Sequence, residues 1–517
     1  MIRNVLSYLD ETAARLPEKT AFADETGGCS FRQVYEQSRS IGTYIASAGY
    51  FRRPIAVYME KSPQEIIAFL GVIAAGCCYV PIDDEMPAER IGLIFESCSP
   101  EMVLCDDTTV QRARSFSYPA EIVTYNEICS TLADDAALSR IRAAALDIDP
   151  IYIVFTSGST GMPKGVAACH RSVIDYIEQL SATLGFNEDT VFANQTPLYF
   201  DACLKEIYPT LKFGATTYLV PKSYFTYPLQ LVEFLNRYRI NTICWVVSAL
   251  TMVSSFGTFE TLIPQYLHTI AFGSEVFPRK QFDLWRKALP QAHFTNLYGP
   301  TEGTGMCCYF HCDRELAPEE PIPIGRPFEN TEIILLDAQN HAAREGEICI
   351  RGTGVTLGYY NNPEKTAASF VQNPLNDAYP EIIYRTGDMG RYNAYGELVF
   401  MARADDQIKH MGHRIELGEI EAAAGNADGV RMCACVYDKT KEKIVLYYVG
   451  EAAAGDLIRT LKEHIPRYMV PNVVRQIDRM PFTANGKISR KDLLRMYQES
   501  RRSFRKGKKS EGGEEHG

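Results

Sequence analysis

The stretch TSGSTGMPKGV, Thr156 to Val166, carries the most specific local chemistry in the chain. Small hydroxyl side chains and three glycines leave backbone N–H groups free to surround an oxyanion, and Lys164 adds a positive charge, so the segment reads as a phosphate cradle. The spacing GxxxxGK[ST] does not fit, because Pro163 stands five residues after Gly158, and the serines do not match GxSxG. Ordinary P-loop ATPases and serine hydrolases of the nucleophile-elbow type are therefore disfavoured, and a flexible Gly/Ser surface loop is the bland alternative. Three further segments add to this one. NLYGPTEGT (296–304) puts Glu302 after a Gly-Pro turn, suited to giving one carboxylate to a Mg²⁺ that keeps its waters and the phosphates of its ligand. YRTGDMG (384–390) sets Asp388 in a Gly-flanked turn, where an acceptor-only carboxylate can take two sugar hydroxyls. PFTANGKISRKDL (481–493) presents Lys487 on an Asn-Gly turn as an exposed point cation. Taken singly, Glu302 and Asp388 read as surface turn residues and Lys487 as a solvated lysine.

Those residues need a scaffold, and the pattern around them supplies one. Short β-branched runs, IAVYM (55–59), EMVLC (101–105), YIVF (152–155), TTYLVP (216–221), NTICWVV (241–247) and HTIAF (268–272), read as buried strands. They alternate with stretches of helical period, PQEIIAFLGVIAAG (63–76) and PLQLVEFLNRY (228–238), which predicts an α/β body. From about residue 323 strands separated by Gly and Asn turns predict a β-rich subdomain. After residue 404 a small α+β module follows. CCYFHC (307–312) has zinc-like residue types, but alternation along a strand would split Cys307 and Tyr309 from Cys308 and Phe310, so a core strand is the better reading.

Charge follows the same division. Residues 1–404 hold 32 basic and 47 acidic residues, net −15, while residues 405–500 net +1 and 501–517 net +3, giving −11 overall. A boundary near residue 404 is expected, with a large domain 1–404, a small mobile domain 405–500 and a disordered polar tail 501–517. The negative balance disfavours nucleic acid and anionic membranes as partners, and no run of about 18 to 20 uncharged apolar residues suggests a membrane span. With 517 residues, 46% of them apolar, and 15 irregularly spaced cysteines, the expectation is a cytoplasmic protein of two or more domains with reduced thiols.

In this order the motifs closely resemble the adenylate-forming superfamily, and within it the stand-alone amino-acid adenylation domains of nonribosomal peptide synthesis. AAGCCYVPIDDEMPAER (74–90), FDAC (200–203) and IPRYMVP (465–471) carry the likeness to the amino-acid-activating branch. The resemblance implies ATP and Mg²⁺ as cofactors, with Thr156, Ser157, Gly158, Ser159, Thr160, Gly161 and Lys164 bordering the β/γ-phosphates. It implies Thr301 near the α-phosphate, Glu302 on Mg²⁺, Asn296 and Tyr298 at the adenine, Gly299 among the ATP-binding residues, and Asp388 and Arg403 on the ribose. Lys487 would reach the substrate carboxylate, Asp201 would receive the α-ammonium, and Asp405 would be the hinge. The side-chain pocket falls on Ala202, Lys205, Cys244, Ile270, Phe272, Leu297, Gly305 and Met306.

The implied reaction forms aminoacyl-AMP, releases pyrophosphate, and passes the acyl group to the phosphopantetheine thiol of a separate carrier protein. A D-alanine-carrier-protein-ligase-like or acyl-CoA-ligase enzyme, and a catalytically idle nucleotide-binding protein, remain alternatives. Ala402, Cys203 and His410-Met411 depart from the family pattern. Lys205 is the odd member of a mostly apolar pocket: it either pairs with Asp201 or meets an acidic side chain of the substrate, a small neutral amino acid being the competing choice.

Overall fold

The computed structural model describes residues 2–158, 162–317, 320–403, 407–481 and 488–510, with side chains up to residue 500. The chain divides into two compact units, one formed by Met1–Asp84, Ile94–Thr156 and Lys164–Asp405, the other by Glu85–Leu93, Ser157–Pro163 and Asp406–Gly517.

Among the described residues the larger unit contains three sheets. In the first, the strands run in the order Glu121–Thr124, Met102–Cys105, Pro54–Tyr58, Cys78–Ile82, Pro150–Thr156 and Lys164–Cys169, parallel except for the last pair. The second has nine strands, and its parallel middle contains His293–Tyr298, Thr269–Gly273, Thr242–Val246, Val191–Asn194, Thr216–Leu219 and Thr20–Ala23. Parallel strands are covered on both faces, which is why Pro54–Tyr58, Cys78–Ile82 and Thr242–Val246 are buried at every position and read as unbroken apolar runs. The run expected as strand through Val247 stops at Val246, where the helix Val247–Ser255 begins. The β-rich region is the third sheet, an antiparallel set of Thr331–Leu336, Glu345–Gly352, Ile382–Tyr392, Phe370–Gln372 and Leu398–Arg403.

Helices start and stop on local signals. Ser62 caps Pro63–Ala74 by accepting from the Glu65 N–H at 3.3 Å, with Pro63 at the first helical position. His170–Leu184 and Leu204–Phe213 both end on left-handed glycines, Gly185 at φ 69° and Gly214 at φ 77°. One apolar cluster joins Ile55 and Val57 of the first sheet, Cys244, Ala271 and Leu297 of the second, and Ile66, Val173 and Leu204 of the helices. The opposite face of the second sheet has its own core, with Ile243, Trp245, Ile270 and Phe272 packed beside Phe282 and Trp285. Both tryptophans are fully buried, and their indole N–H groups donate to the carbonyls of Ala193 at 2.7 Å and Leu250 at 2.9 Å.

The smaller unit has a hairpin, Gln407–His410 with His413–Glu416, and a sheet of Val430–Asp438, Lys443–Gly450 and Val473–Gln476. Met411 at φ 52° and Gly412 at φ 80° form the two-residue hairpin turn, both in the left-handed region. The tail departs from expectation: the helix Arg490–Ser510 runs through residues 501–510, which were expected to be disordered. Leu493 and Tyr497 are buried and anchor its first turns. Arg and Lys are good helix formers, and cations late in a helix complement its dipole.

Candidate active site

The site residues of the larger unit sit at strand ends and in the turns that follow them. Thr156 and Lys164 face each other across the antiparallel pair Pro150–Thr156 and Lys164–Cys169. The Lys164 ammonium lies 3.6 Å from Glu302 Oε1, 3.5 Å from the Tyr359 hydroxyl and 5.1 Å above the Tyr359 ring. Glu302 is fully buried in the short turn Thr301–Gly303, where Oε1 accepts from Tyr359 OH at 2.7 Å. Nothing in the loop around Tyr359 marks it chemically, so sequence reasoning missed it. Thr156 Oγ1 is buried and makes no hydrogen bond among the described residues.

This donor set fits a Mg²⁺-bound triphosphate: a carboxylate, an ammonium and an orphaned hydroxyl, with no side-chain nucleophile among them. Ser157 and Gly158 fall in the smaller unit, where Ser157 Oγ donates to the Arg414 carbonyl at 2.8 Å and the Gly158 N–H to Glu419 Oε2 at 3.2 Å. Ser159, Thr160, Gly161, Asp405 and Lys487 lie outside the described residues.

A second group surrounds Asp388, which is buried and sits opposite Arg403 in register. Its Oδ1 accepts from Arg403 at 2.6 Å and its Oδ2 from Tyr298 OH at 2.6 Å. Burial, and then the Asp388 charge, push the Tyr298 phenol far up, so it stays a donor. Each carboxylate oxygen keeps a second lone pair for a hydroxyl of a bound molecule. Asn296 donates to the Pro323 carbonyl at 2.8 Å. Gly299 can only be glycine, since a Cβ there would fall 2.4 Å from the Gly305 carbonyl oxygen.

The third group surrounds Asp201, at the start of the turn Asp201–Cys203 that leads into Leu204–Phe213. Burial lifts the Asp201 carboxyl to about 6, Lys205 and then hydrogen bonding from Thr301 pull it down, and Glu302 pushes it up. Asp201 therefore adjoins the Thr301–Glu302 turn. Lys205 is 3% exposed. Glu206, which the motif reading passed over, is fully buried beside it and lifted to about 7 by burial, with Lys205 the first charge opposing. The hydroxyls of Tyr152 and Tyr176, Asn194 Oδ1, Thr196 Oγ1 and Glu206 Oε1 are buried without a hydrogen bond among the described residues. The Asp201 charge acts on both tyrosines, and those of Cys244 and Glu206 also act on Tyr176, so part of this orphaned polar surface belongs to the Asp201 pocket. A Cβ on Gly305 would lie 3.0 Å from the Tyr176 ring, so glycine keeps that wall open.

Two expected pocket residues are corrected. Ile270 pairs with Ile243 and Phe272 with Trp245, and all four belong to the core on the far side of the sheet. Ala271, paired with Cys244, shares a face with Cys244 and Leu297, because strand side chains alternate with period two. Ala271 and Gly273 therefore occupy the parity that was assigned to Ile270 and Phe272. Met306, Cys244 and Leu297 are buried in the near-side cluster, and Ala202 is half-buried.

Comparison with known proteins agrees with this geometry. The family model for AMP-binding enzyme matches residues 9–360, and that for the AMP-binding enzyme C-terminal domain matches residues 419–487. The chain belongs to the AMP-binding enzyme family. It is 32% identical over 507 residues to gramicidin S synthase 2 of Brevibacillus brevis, which covers 95% of this chain and 11% of that protein. It is 33% identical over 501 residues to surfactin synthase subunit 2 of Bacillus subtilis (strain 168), covering 95% and 14%. The chain thus spans a small part of these curated relatives. Among solved structures it is similar to an NRPS protein containing adenylation and PCP domains, with TM-score 0.82 and 26% identity over 95% of this chain and 84% of that one. The α/β fold with a large N-terminal and a small C-terminal part is that of adenylation domains, and the family is one of adenylate-forming ligases. No helix among the described residues is long and apolar enough to cross a membrane.

Proposed function

We propose that this protein joins an amino acid to AMP, releases pyrophosphate, and passes the aminoacyl group to the phosphopantetheine thiol of a carrier protein. The observation that carries this reading is the buried carboxylate of Asp201 beside the Thr301–Glu302 turn: a receptor for an α-ammonium adjoins the residues suited to phosphate chemistry. ATP would lie along Thr156, Lys164 and Glu302, with its ribose at Asp388 and Arg403. Mg²⁺ held by Glu302 would offset the charge of the phosphates as the substrate carboxylate approaches. Lys164 adds a fixed positive charge to the same side, Tyr359 holds the Glu302 carboxylate in place, and Asp201 fixes the amine end of the substrate.

The side chain of that amino acid is acidic, Glu or Asp. Lys205 is a buried ammonium beside Asp201 and Glu206, and once the α-ammonium of the substrate draws on Asp201, a side-chain anion of the substrate is the partner that best offsets its desolvation. The large domain is assigned to residues 1–404, the mobile one to 405–500, hinged at Asp405, and the protein to the cytoplasm.

Amino-acid-dependent exchange of pyrophosphate into ATP, run over the common amino acids and their D-forms, tests the reading. Exchange is expected with Glu or Asp, and exchange with none would overturn it. Lys487→Ala is expected to lower adenylate formation on the order of 10²-fold or more while transfer from preformed adenylate suffers much less. Equal losses in both half-reactions would remove Lys487 from this role.

A further inference from the structure

Lys61 stands outside every motif used above. It precedes Ser62, the cap of Pro63–Ala74, and reaches a part of the chain more than 130 residues away. Its Nζ donates to the carbonyl of Asn194 at 3.0 Å and to that of Gln195 at 3.3 Å, at the end of the strand Val191–Asn194. The Asn194 side chain in turn donates from Nδ2 to Glu206 Oε2 at 3.3 Å. Glu206 is fully buried, and its Oε1 makes no hydrogen bond among the described residues. An ammonium has three donors, and here two of them meet neutral carbonyls. The positive charge of Lys61 is therefore not neutralised by the atoms that hold it.

The charges within this buried region can be counted. With Glu302 taken with Lys164 at 3.6 Å, the remaining cations are the buried Lys205 and the half-buried Lys61, and the remaining carboxylates are Asp201 and Glu206. Burial drives Glu65 far above its usual range, so it stays protonated, and Asp83 and Asp84 share Lys222 at 3.6 and 3.8 Å. Glu206 is the first charge acting on Lys61, while Lys205 is the first and Lys61 a further one acting on Glu206. These charges balance at two against two. An entering amino acid brings an α-ammonium and an α-carboxylate, but the carboxylate loses its charge on joining AMP, so in the adenylate three cations face two carboxylates, and an unmatched buried charge is costly. One more anion restores the balance.

We infer that Lys61 is a specificity-determining residue: its charge, set against Glu206, leaves Lys205 for a side-chain carboxylate of the substrate. This rests on the proposed adenylation of an acidic amino acid and adds a residue that does not touch the substrate. Without Lys61, the α-ammonium and Lys205 match Asp201 and Glu206, and a neutral side chain completes the pocket.

The test is the ratio of kcat/KM in pyrophosphate exchange for Glu against Gln and for Asp against Asn. Lys61→Met is expected to lower the preferred acidic-to-amide ratio on the order of tenfold or more, mainly through KM. Adding Glu206→Gln to Lys61→Met removes one negative charge as well, and is expected to restore the ratio. Lys61→Gln, which keeps donors for the two carbonyls without the charge, takes the place of Lys61→Met if that variant does not fold, with the same expected loss. An unchanged ratio in the Lys61 variants, with collapse in Lys205→Met, overturns the role of Lys61 and leaves the acidic reading standing. Equal losses on acid and amide, not rescued by Glu206→Gln, make Lys61 a structural residue and also overturn the inference. A wild-type protein that prefers neutral amino acids overturns both.

Discussion

Asp201 answers two demands that oppose each other. To receive an ammonium it must be ionised, yet burial favours its neutral form and holds the carboxyl at about 6, against the pull of Lys205 and Thr301. The sign follows directly. The folded value lies above that of an unfolded aspartate, so ionised Asp201 costs stability as pH rises through this range, while amine binding improves. For the amino acid, kcat/KM is expected to fall about tenfold per pH unit below roughly 6, the region set by the free enzyme. Lys205, Glu302, Tyr152, Tyr176 and Cys203 face the same carboxylate. Glu206 titrates nearby at about 7, so Glu206→Gln is the control that should keep the limb. A pH profile of exchange activity that stays flat down to pH 5 would count against Asp201 as the amine receptor.

At the scale of elements, the parallel strands and their flanking helices were legible because burial on both faces leaves an unbroken apolar run, as in Pro54–Tyr58. The same property hides the parity of Thr269–Gly273: all five of its residues are buried, so no exposed position tells whether Ile270 or Ala271 meets the pocket. Motif spacing found Glu302, Asp388 and Lys164 because glycines and hydroxyls cluster about them. It could not find Tyr359 or Lys61, whose roles exist only once distant segments meet.

The hairpin turn at Met411 and Gly412 shows local chemistry overridden. A methionine at φ 52° occupies a position where Asn or Asp is the usual choice, and the residue is 54% exposed, so packing gives little return for the strain. Met411→Asn is expected to stabilise the protein by up to about 1 kcal/mol. Thermal unfolding would show it as a higher midpoint, and a lower midpoint would mean that the methionine makes a contact worth more than its backbone strain.

For the whole molecule, charge is the property to follow. Residues 1–404 carry −15, whereas residues 405–500 carry +1 and 501–517 carry +3. The resemblance implies a small acidic carrier, which the first segment repels and the later ones do not. Transfer from adenylate to such a carrier is expected to slow as salt rises from about 50 to 300 mM, with adenylate formation changed far less. Free coenzyme A acylated as fast as any carrier would remove the carrier from the scheme.

The two tryptophans of the chain, Trp245 and Trp285, lie in one core on one side of one sheet. Intrinsic fluorescence is thus a private channel. Its emission, blue-shifted by complete burial, reports the melting of the larger unit and is silent on residues 407–510. Cys244 turns toward the pocket and Trp245 away from it, so the same strand places a light-emitting reporter one peptide unit behind the substrate wall. Ligands that stiffen this strand become visible without any label. A tryptophan introduced into the smaller unit would add a second, separable signal.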